Sequence, residues 1–392
     1  MKKALLGTTA LVAAGLAFGN AAYAADGVKL SIGGRYMGAA GVNFSDADGF
    51  SDGGQTRDYV FKQDVEVYFL GETVLDNGLT VGARVELEGQ TSSDQIDAVY
   101  AYFSGGFGEI RFGDTGEAMA QLCYVAPTAS GIFGADSPNF NFSNAGVGGA
   151  GNLGIGGYGA TNGTCYGLDD KSTKIVYFSP NFAGFSFAAS FTPDNTEDTR
   201  NTLNGAGTRL KTDLGQNSEN ISVAANFTHD FNGVNLIVGG GGTWSFDREN
   251  SNVDERRDYN AYAQVGFSGF TIGGAFGYRQ NRGGDGSDDL IYSAGITYNW
   301  DAWTVGFGYS HGQYEIGQSG SVLVGSTGLT TTLTSDITDY YNIFALTASY
   351  ALGPGIQVDG VVEYDDYDGG GEQGRDSDYK GFSFGLGTLI SF

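Results

Sequence analysis

Leu79-Thr80-Val81-Gly82-Ala83-Arg84-Val85-Glu86-Leu87-Glu88 is the stretch on which the reading of the whole chain turns. Its odd positions carry Leu, Val, Ala, Val and Leu. Its even positions carry Thr, Gly, Arg, Glu and Glu. A period of two is that of a β-strand, whose successive side chains point to opposite faces. One face of this strand is apolar and the other is charged, so it needs an apolar medium on one side and water on the other. Asp76-Asn77-Gly78, just before it, is hairpin-turn chemistry.

The same pattern extends outward in both directions. Upstream, Val28, Leu30, Ile32, Gly34 and Tyr36 share a face against Lys29, Ser31 and Arg35, and Tyr59, Phe61, Val65, Val67 and Phe69 oppose Lys62, Asp64 and Glu66. Downstream, Ile96, Ala98, Tyr100 and Tyr102 are read as an apolar face against Asp97, and Ile110 and Phe112 oppose Glu109 and Arg111. Alternating runs around Lys174, Phe187, Val223, Leu236, Ala263, Ile272, Ile296, Val305, Leu346, Val362 and Phe384 continue to the end of the chain. This makes about sixteen strands, and an even number suits a closed bacterial barrel. The breaks alternate in length. Ser268-Gly269 is short, whereas Val42–Arg57, Asp114–Lys171, Thr192–Glu219, Gly312–Thr338 and Asp365–Asp378 are long and polar. Short turns on one rim and long loops on the other are the signature of an outer-membrane barrel.

Composition agrees. The chain has 67 glycines, 27 phenylalanines and 23 tyrosines but 5 prolines, which disfavours helices and favours strands. Sixteen strands enclose a lumen too wide for side chains to fill, so an apolar inner face would meet water. Lipid outside and water inside satisfy both faces, and closure leaves no unpaired backbone in the bilayer. The expected fold is therefore all-β, a 16-stranded antiparallel transmembrane barrel.

Residues 1–24 read as a cleaved signal peptide: Lys2 and Lys3, an apolar run Ala4–Phe18, then Ala22-Tyr23-Ala24 as the cleavage site. The barrel domain is then 25–392. Losing the two lysines takes the formal charge from −25 to −27. Such an acidic chain lacks the Lys/Arg clusters that bind phosphate, so nucleic acid is excluded as a partner. Only two histidines occur, His229 and His311. Ser310 and His311 are sequence neighbours on opposite faces of a strand, so a hydrolytic Ser/His pair is not expected.

The chain resembles the general porins of the Gram-negative outer membrane, of the alphaproteobacterial type. Three segments carry the resemblance: Gly105–Gly113 (GGFGEIRFG), Val176–Ser186 (VYFSPNFAGFS) and Gly387–Phe392 (GTLISF), and the likeness covers essentially all of Ala25–Phe392. It implies a homotrimeric channel in outer-membrane lipid, a third long loop folded inward, and Phe392 as an assembly signal. A Pro-Glu-Phe-Gly-Gly loop tip found in enteric porins is missing here.

The site expectations follow from alternation and loop position. Arg35, Lys62, Arg84, Arg111 and Lys174 point into the lumen as pore-lining cations. Asp114, Glu117 and Asp136 come from the inserted loop 114–171 and would face them, charge against charge. The competing reading pairs the cations with inward Asp64, Glu66, Glu86, Glu88 and Glu109. Cys123 and Cys165, both in the loop, are a disulfide pair in an oxidising envelope. No cofactor is expected; Asp365, Asp366 and Asp368 offer Ca²⁺ oxygen ligands, or simply a solvated rim. The function expected is passive diffusion of ions and small hydrophilic solutes. The inward faces are read as charged and small, without an aromatic track. Two alternatives stand beside this reading: a sugar- or anion-selective channel, and a non-conducting structural or adhesive barrel.

Overall fold

The computed structural model describes residues 27–48, 58–89, 95–143, 163–165, 167–168, 171–194, 218–246, 255–281, 288–316, 321–324, 329–332, 337–368 and 378–392. The expected signal segment 1–24 lies outside them. The strands are β1 (Lys29–Asp48), β2 (Tyr59–Val74), β3 (Thr80–Glu88), β4 (Ile96–Gly105), β5 (Gly108–Asp114), β6 (Thr173–Phe178), β7 (Phe185–Asp194), β8 (Ser218–Asp230) and β9 (Val234–Trp244). They continue as β10 (Arg257–Phe267), β11 (Phe270–Gln280), β12 (Asp289–Trp300), β13 (Trp303–Ile316), β14 (Ser321–Val324), β15 (Leu329–Thr332), β16 (Ile337–Gly353), β17 (Ile356–Asp368) and β18 (Asp378–Ser391). One short helix, α1 (Ala118–Gln121), follows β5.

Sixteen of these strands close into a barrel in which every neighbour pair is antiparallel; β14 and β15 form a separate hairpin in the loop between β13 and β16. The seam is β1 against β18, paired from Arg35 with Ser391 to Asp48 with Asp378. The terminal residue finishes it: Gly34 N–H donates to Phe392 O at 2.8 Å, and Phe392 N–H to Gly34 O at 3.0 Å. Closure matters because an open edge in hydrocarbon would leave a row of unpaired amides. No helix among the described residues is long and apolar enough to cross a membrane, so the strands are the crossing elements.

The tight turns behave as the sequence requires. Asn232 and Gly233 take φ of 57° and 91°, and Ser268 and Gly269 take 48° and 83°. Two consecutive positive φ values match the right-handed twist of the flanking strands, and Gly at the second position removes the steric cost. The long-loop rim differs from expectation. β1 runs to Asp48, β13 to Ile316, and β17 to Asp368, so strand pairing continues into segments read as loop. Alternation persists there although polar residues now fall on both faces, and hydropathy alone cannot mark where ladder bonds stop.

The outer surface is apolar. Phe61 is 80% exposed, Val28 70% and Leu386 64%, as lipid-facing groups would be in an isolated chain. β4 is the exception to the sequence reading. Tyr100 stands opposite Arg84, and Tyr102 opposite Gly82, on the inward face; Val99, Ala101 and Phe103 face lipid beside Val85, Ala83 and Val81. Both faces of β4 are apolar, so alternation could not choose between them. A β-bulge near Glu86/Leu87 sets the face. It brings both Asp97 and Ala98 to the lumen side, since Asp97 lies near Glu66 and Glu88 while Ala98 opposes Glu86.

Candidate functional site

After β5 the chain enters the lumen and travels along the inner wall. Ala118 N–H donates to Ser190 Oγ of β7 at 3.0 Å, and Met119 N–H to Ser222 Oγ of β8 at 2.9 Å. From β10, the Tyr262 hydroxyl and the Gln264 amide donate to the carbonyls of Leu122 and Val125. Ala129 N–H reaches Thr347 Oγ1 of β16 at 3.2 Å. The Ser130 hydroxyl and Gly131 N–H both donate to Asp359 of β17, at 2.9 and 3.1 Å. Lys62 of β2 ends the sweep by donating to Asn141 O. A segment with one short helix and otherwise irregular backbone thus satisfies many of its backbone groups on the wall, as a buried segment must.

Two further features of the wall receive it. Glycines stand where the loop comes closest: a Cβ at Gly295 of β12 would collide with Pro127 O, and one at Gly387 of β18 would sit 2.5 Å from Ile132 Cδ1. The wall is also apolar under the loop. Ile132, Phe133, Phe140 and Phe142 pack with Met37, Tyr341, Ile343 and Val361 in one buried cluster. Among the described residues, the buried apolar clusters lie where the loop meets the wall.

The loop acids have a different place from the one expected. Asp136 is the one charged residue between Ala118 and Ser143, and it is 5% exposed. It accepts from Thr164 N–H (3.0 Å), Thr164 Oγ1 (2.7 Å), Ser137 Oγ (2.9 Å) and Ser293 Oγ of β12 (2.5 Å). Glu117, 1% exposed, accepts from Leu168 N–H at 2.9 Å and lies so close to Gly167 that any Cβ there would strike its carboxylate. Asp114, 7% exposed, accepts from the Thr173 hydroxyl where the chain leaves and rejoins the wall. These carboxylates tie segments of the loop together and to the wall instead of lining an opening opposite the cations. The exposed side chains of 118–143 are Gln121, Tyr124 and Asn139, all uncharged. Cys123 and Cys165 are joined in a disulfide, Cα–Cα 5.5 Å, linking the outgoing and returning limbs. Arg279 of β11 holds the return by donating to Gly163 O at 2.7 Å.

The five expected cations divide into two groups. Lys62 and Lys174 belong to the loop. Lys174 is 1% exposed and donates to the carbonyls of Thr115 and Ser172. Arg35, Arg84 and Arg111 stand half-exposed on the arc from β1 to β5, and each is paired with a carboxylate on the same wall. Arg35 pairs with Glu66, Arg84 with Glu86 at 2.6 Å, and Arg111 with Glu109 at 2.6 Å. Lys171, not singled out by the sequence, joins them through Asp97 at 2.9 Å. Charge of both signs is therefore interleaved on one arc. Three aromatic side chains on this arc escaped the sequence reading: Tyr68, Tyr100 and Phe178 stack against Arg84 and Arg111. Spacing two residues from a known inward charge, as in Tyr68 beside Glu66, was the signal that could have found them.

The three Ca²⁺ candidates separate. Asp365 is buried on the inward face of β17, whereas Asp366 and Asp368 are on the outward face, Asp366 at 3.5 Å from Lys380. Alternation forbids all three from sharing one ion. The described carboxylates close enough to share an ion are Glu66, Glu88 and Asp97. The histidines lie among outward aromatics: His229 with Phe227 and Phe231, His311 with Tyr292 and Tyr340.

Residues 7–370 match the Gram-negative porin family, and the chain belongs to it. No curated protein matches the chain. Among solved structures, it is similar to an anion-selective porin from Comamonas acidovorans (14% identity, 93% of this chain and 100% of that one, TM-score 0.57). It is similar to the trimer form of OmpT, an outer membrane protein of Vibrio cholerae (16% identity, 94% and 100%, TM-score 0.53). A third likeness is to the outer membrane channel DcaP of Acinetobacter baumannii (12% identity, 95% and 100%, TM-score 0.56). At these identities the likeness concerns the fold.

Proposed function

We propose that this Gram-negative outer-membrane porin passes ions and small hydrophilic solutes by passive diffusion, with a mild preference for cations. One observation carries the reading. The described part of the loop is laid against the wall, and its carboxylates, Asp114, Glu117 and Asp136, are buried, while the opposite arc presents charged side chains to the lumen. Apolar solutes are disfavoured there because they would displace water held by the charges. Ions and polar solutes exchange that water for equivalent contacts.

The sign of the preference follows from the arc itself. Asp64, Glu66, Glu86, Glu88, Asp97 and Glu109 outnumber Arg35, Arg84, Arg111 and Lys171. Each cation is matched by a carboxylate, and the unmatched acids leave a negative field. The anion preference in the description of the Comamonas porin is accordingly not carried over to this chain. The test is a reversal potential in a planar bilayer under a KCl gradient. Cation selectivity is expected, reduced in the combined Glu88→Gln and Asp97→Asn variant; strong anion selectivity would sink the reading, and absence of channels would sink the pore itself.

The working unit we propose is a homotrimer. The outer face of β1, β2 and β18 carries some of the most exposed apolar groups on the molecule. A groove of about 520 Å³ lies between Tyr36, Phe61, Val358 and Leu386, floored by Gly38 and Ala40. A second copy seated on this face would bury the groove. Cross-linking in detergent should give a trimer, and a monomer at all concentrations would overturn this.

A further inference from the structure

We infer that the open arc carries a binding belt for neutral saccharides, an inference that rests on the pore reading above and names a solute class for it. Five neighbouring strands each give one inward side chain to a diagonal row, in which successive members are direct partners or two residues off register: Tyr68 of β2, Arg84 of β3, Tyr100 of β4, Arg111 of β5 and Phe178 of β6. The Arg84 guanidinium lies 4.5 Å from the Tyr68 ring centroid. That of Arg111 lies 5.1 Å from Tyr100 and 4.6 Å from Phe178. Tyr100 is the direct cross-strand partner of Arg84. With adjacent strands ~4.8 Å apart, the row covers roughly 19 Å measured across the strands.

Barrel construction does not call for such a belt. On the next strands, the inward positions of β7 and β8 are Ser186, Ala188 and Ser190, then Ser222, Ala224 and Asn226. The described loop is fastened chiefly to β7, β8, β10, β12, β16 and β17; at the edges of the belt Phe178 packs against the Ala118, Val176 and Ala188 cluster, and Lys171 reaches Asp97 of β4. Three of the belt's members are anchored by carboxylates. Arg84 is pinned by Glu86 and Arg111 by Glu109, and the Tyr68 hydroxyl is bonded to Glu66.

The chemistry selects among ligands. A free anion must compete with a carboxylate already 2.6 Å from each guanidinium. A free cation approaching these rings is repelled by the guanidinium charge already beside them. A neutral sugar displaces neither. Its ring alternates C–H patches, which settle on the aromatic plates, with hydroxyls that bridge a carboxylate oxygen and a remaining guanidinium N–H. Paired Arg/Glu groups beside aromatic plates thus favour a polyhydroxylated solute over a simple ion. The length of the belt favours two or more linked rings over one.

The experiment uses the full chain in detergent micelles and in planar bilayers. Calorimetric titration with maltotriose should give saturable binding in the millimolar range, and polyethylene glycol of matched size should give none. Tyr100→Leu and Phe178→Leu should each weaken binding about five-fold, the loss of one aromatic contact. The lipid-facing Phe112→Leu on β5, the strand between them, should leave the affinity as it was. Heat-modified electrophoretic mobility reports that each variant is folded. The inference is overturned if maltotriose gives no saturable heat, or if the Tyr100 and Phe178 variants bind as the parent does. Failure of the pore reading looks different: no conductance in bilayers, whatever the calorimetry says.

Discussion

Asp136 gathers four hydrogen-bond donors within 3.0 Å from three parts of the chain, so its removal has a sharp expected outcome. In Asp136→Ala, Thr164 and Ser293 lose a charged acceptor in a buried place, at a cost of about 3 kcal/mol. The barrel ladders are untouched, so global denaturation should change little. Single-channel current should become noisier and the loop more susceptible to protease; quiet channels identical to the parent would refute the socket role. Gly295→Val tests the same docking from the wall, since its Cβ collides with Pro127 O. Larger or fluctuating conductance is expected. At this scale the inward direction of Arg35, Arg84 and Arg111 was legible from alternation. Tyr100 was not, because both faces of β4 are apolar and a bulge, invisible in hydropathy, chose between them.

The loop is the element whose role most changed. Its length and inward path were readable, but the expectation of acids facing the cations was replaced by buried carboxylates that fasten it. A carboxylate is legible as a charge in a sequence; whether it faces water or a set of amides depends on what folds over it. The Cys123–Cys165 bond closes a loop with a sequence separation of 42. Chain entropy values such a closure at about 4 kcal/mol. Cys123→Ser with Cys165→Ser, or mild reduction, should raise current noise and local protease sensitivity while the barrel keeps its mobility on unheated gels. Unchanged noise would mean that the wall contacts alone hold the loop. At the seam, Phe392→Ala keeps the backbone bonds to Gly34 but removes a ring that is 65% exposed on the outer face. We expect slower assembly into the outer membrane with normal behaviour of whatever assembles, read from the ratio of folded to unfolded chain.

For the whole molecule, charge and closure act together. An acidic arc that leaves Glu88 and Asp97 beside Glu66 should lose cation selectivity as ionic strength rises, because screening shortens the reach of those charges to ~3 Å at 1 M salt. Reversal potentials at low and high KCl check this, and selectivity that is constant across the range would place its origin elsewhere. The sequence by itself determined the barrel, its sixteen strands, its lipid-facing side and the position of the inserted loop. A period of two with opposite polarity on the two faces admits few other solutions, and Asn-Gly and Ser-Gly pairs mark the turns. Tertiary structure alone decided which way β4 faces, how far β1 and β17 extend, and that Asp365 parts from Asp366 and Asp368. It also decided that Glu117 and Asp136 are fasteners, and that Tyr68, Arg84, Tyr100, Arg111 and Phe178 form one belt. Those outcomes depend on contacts between residues distant in the chain, and a local pattern carries no record of what the opposite wall presents.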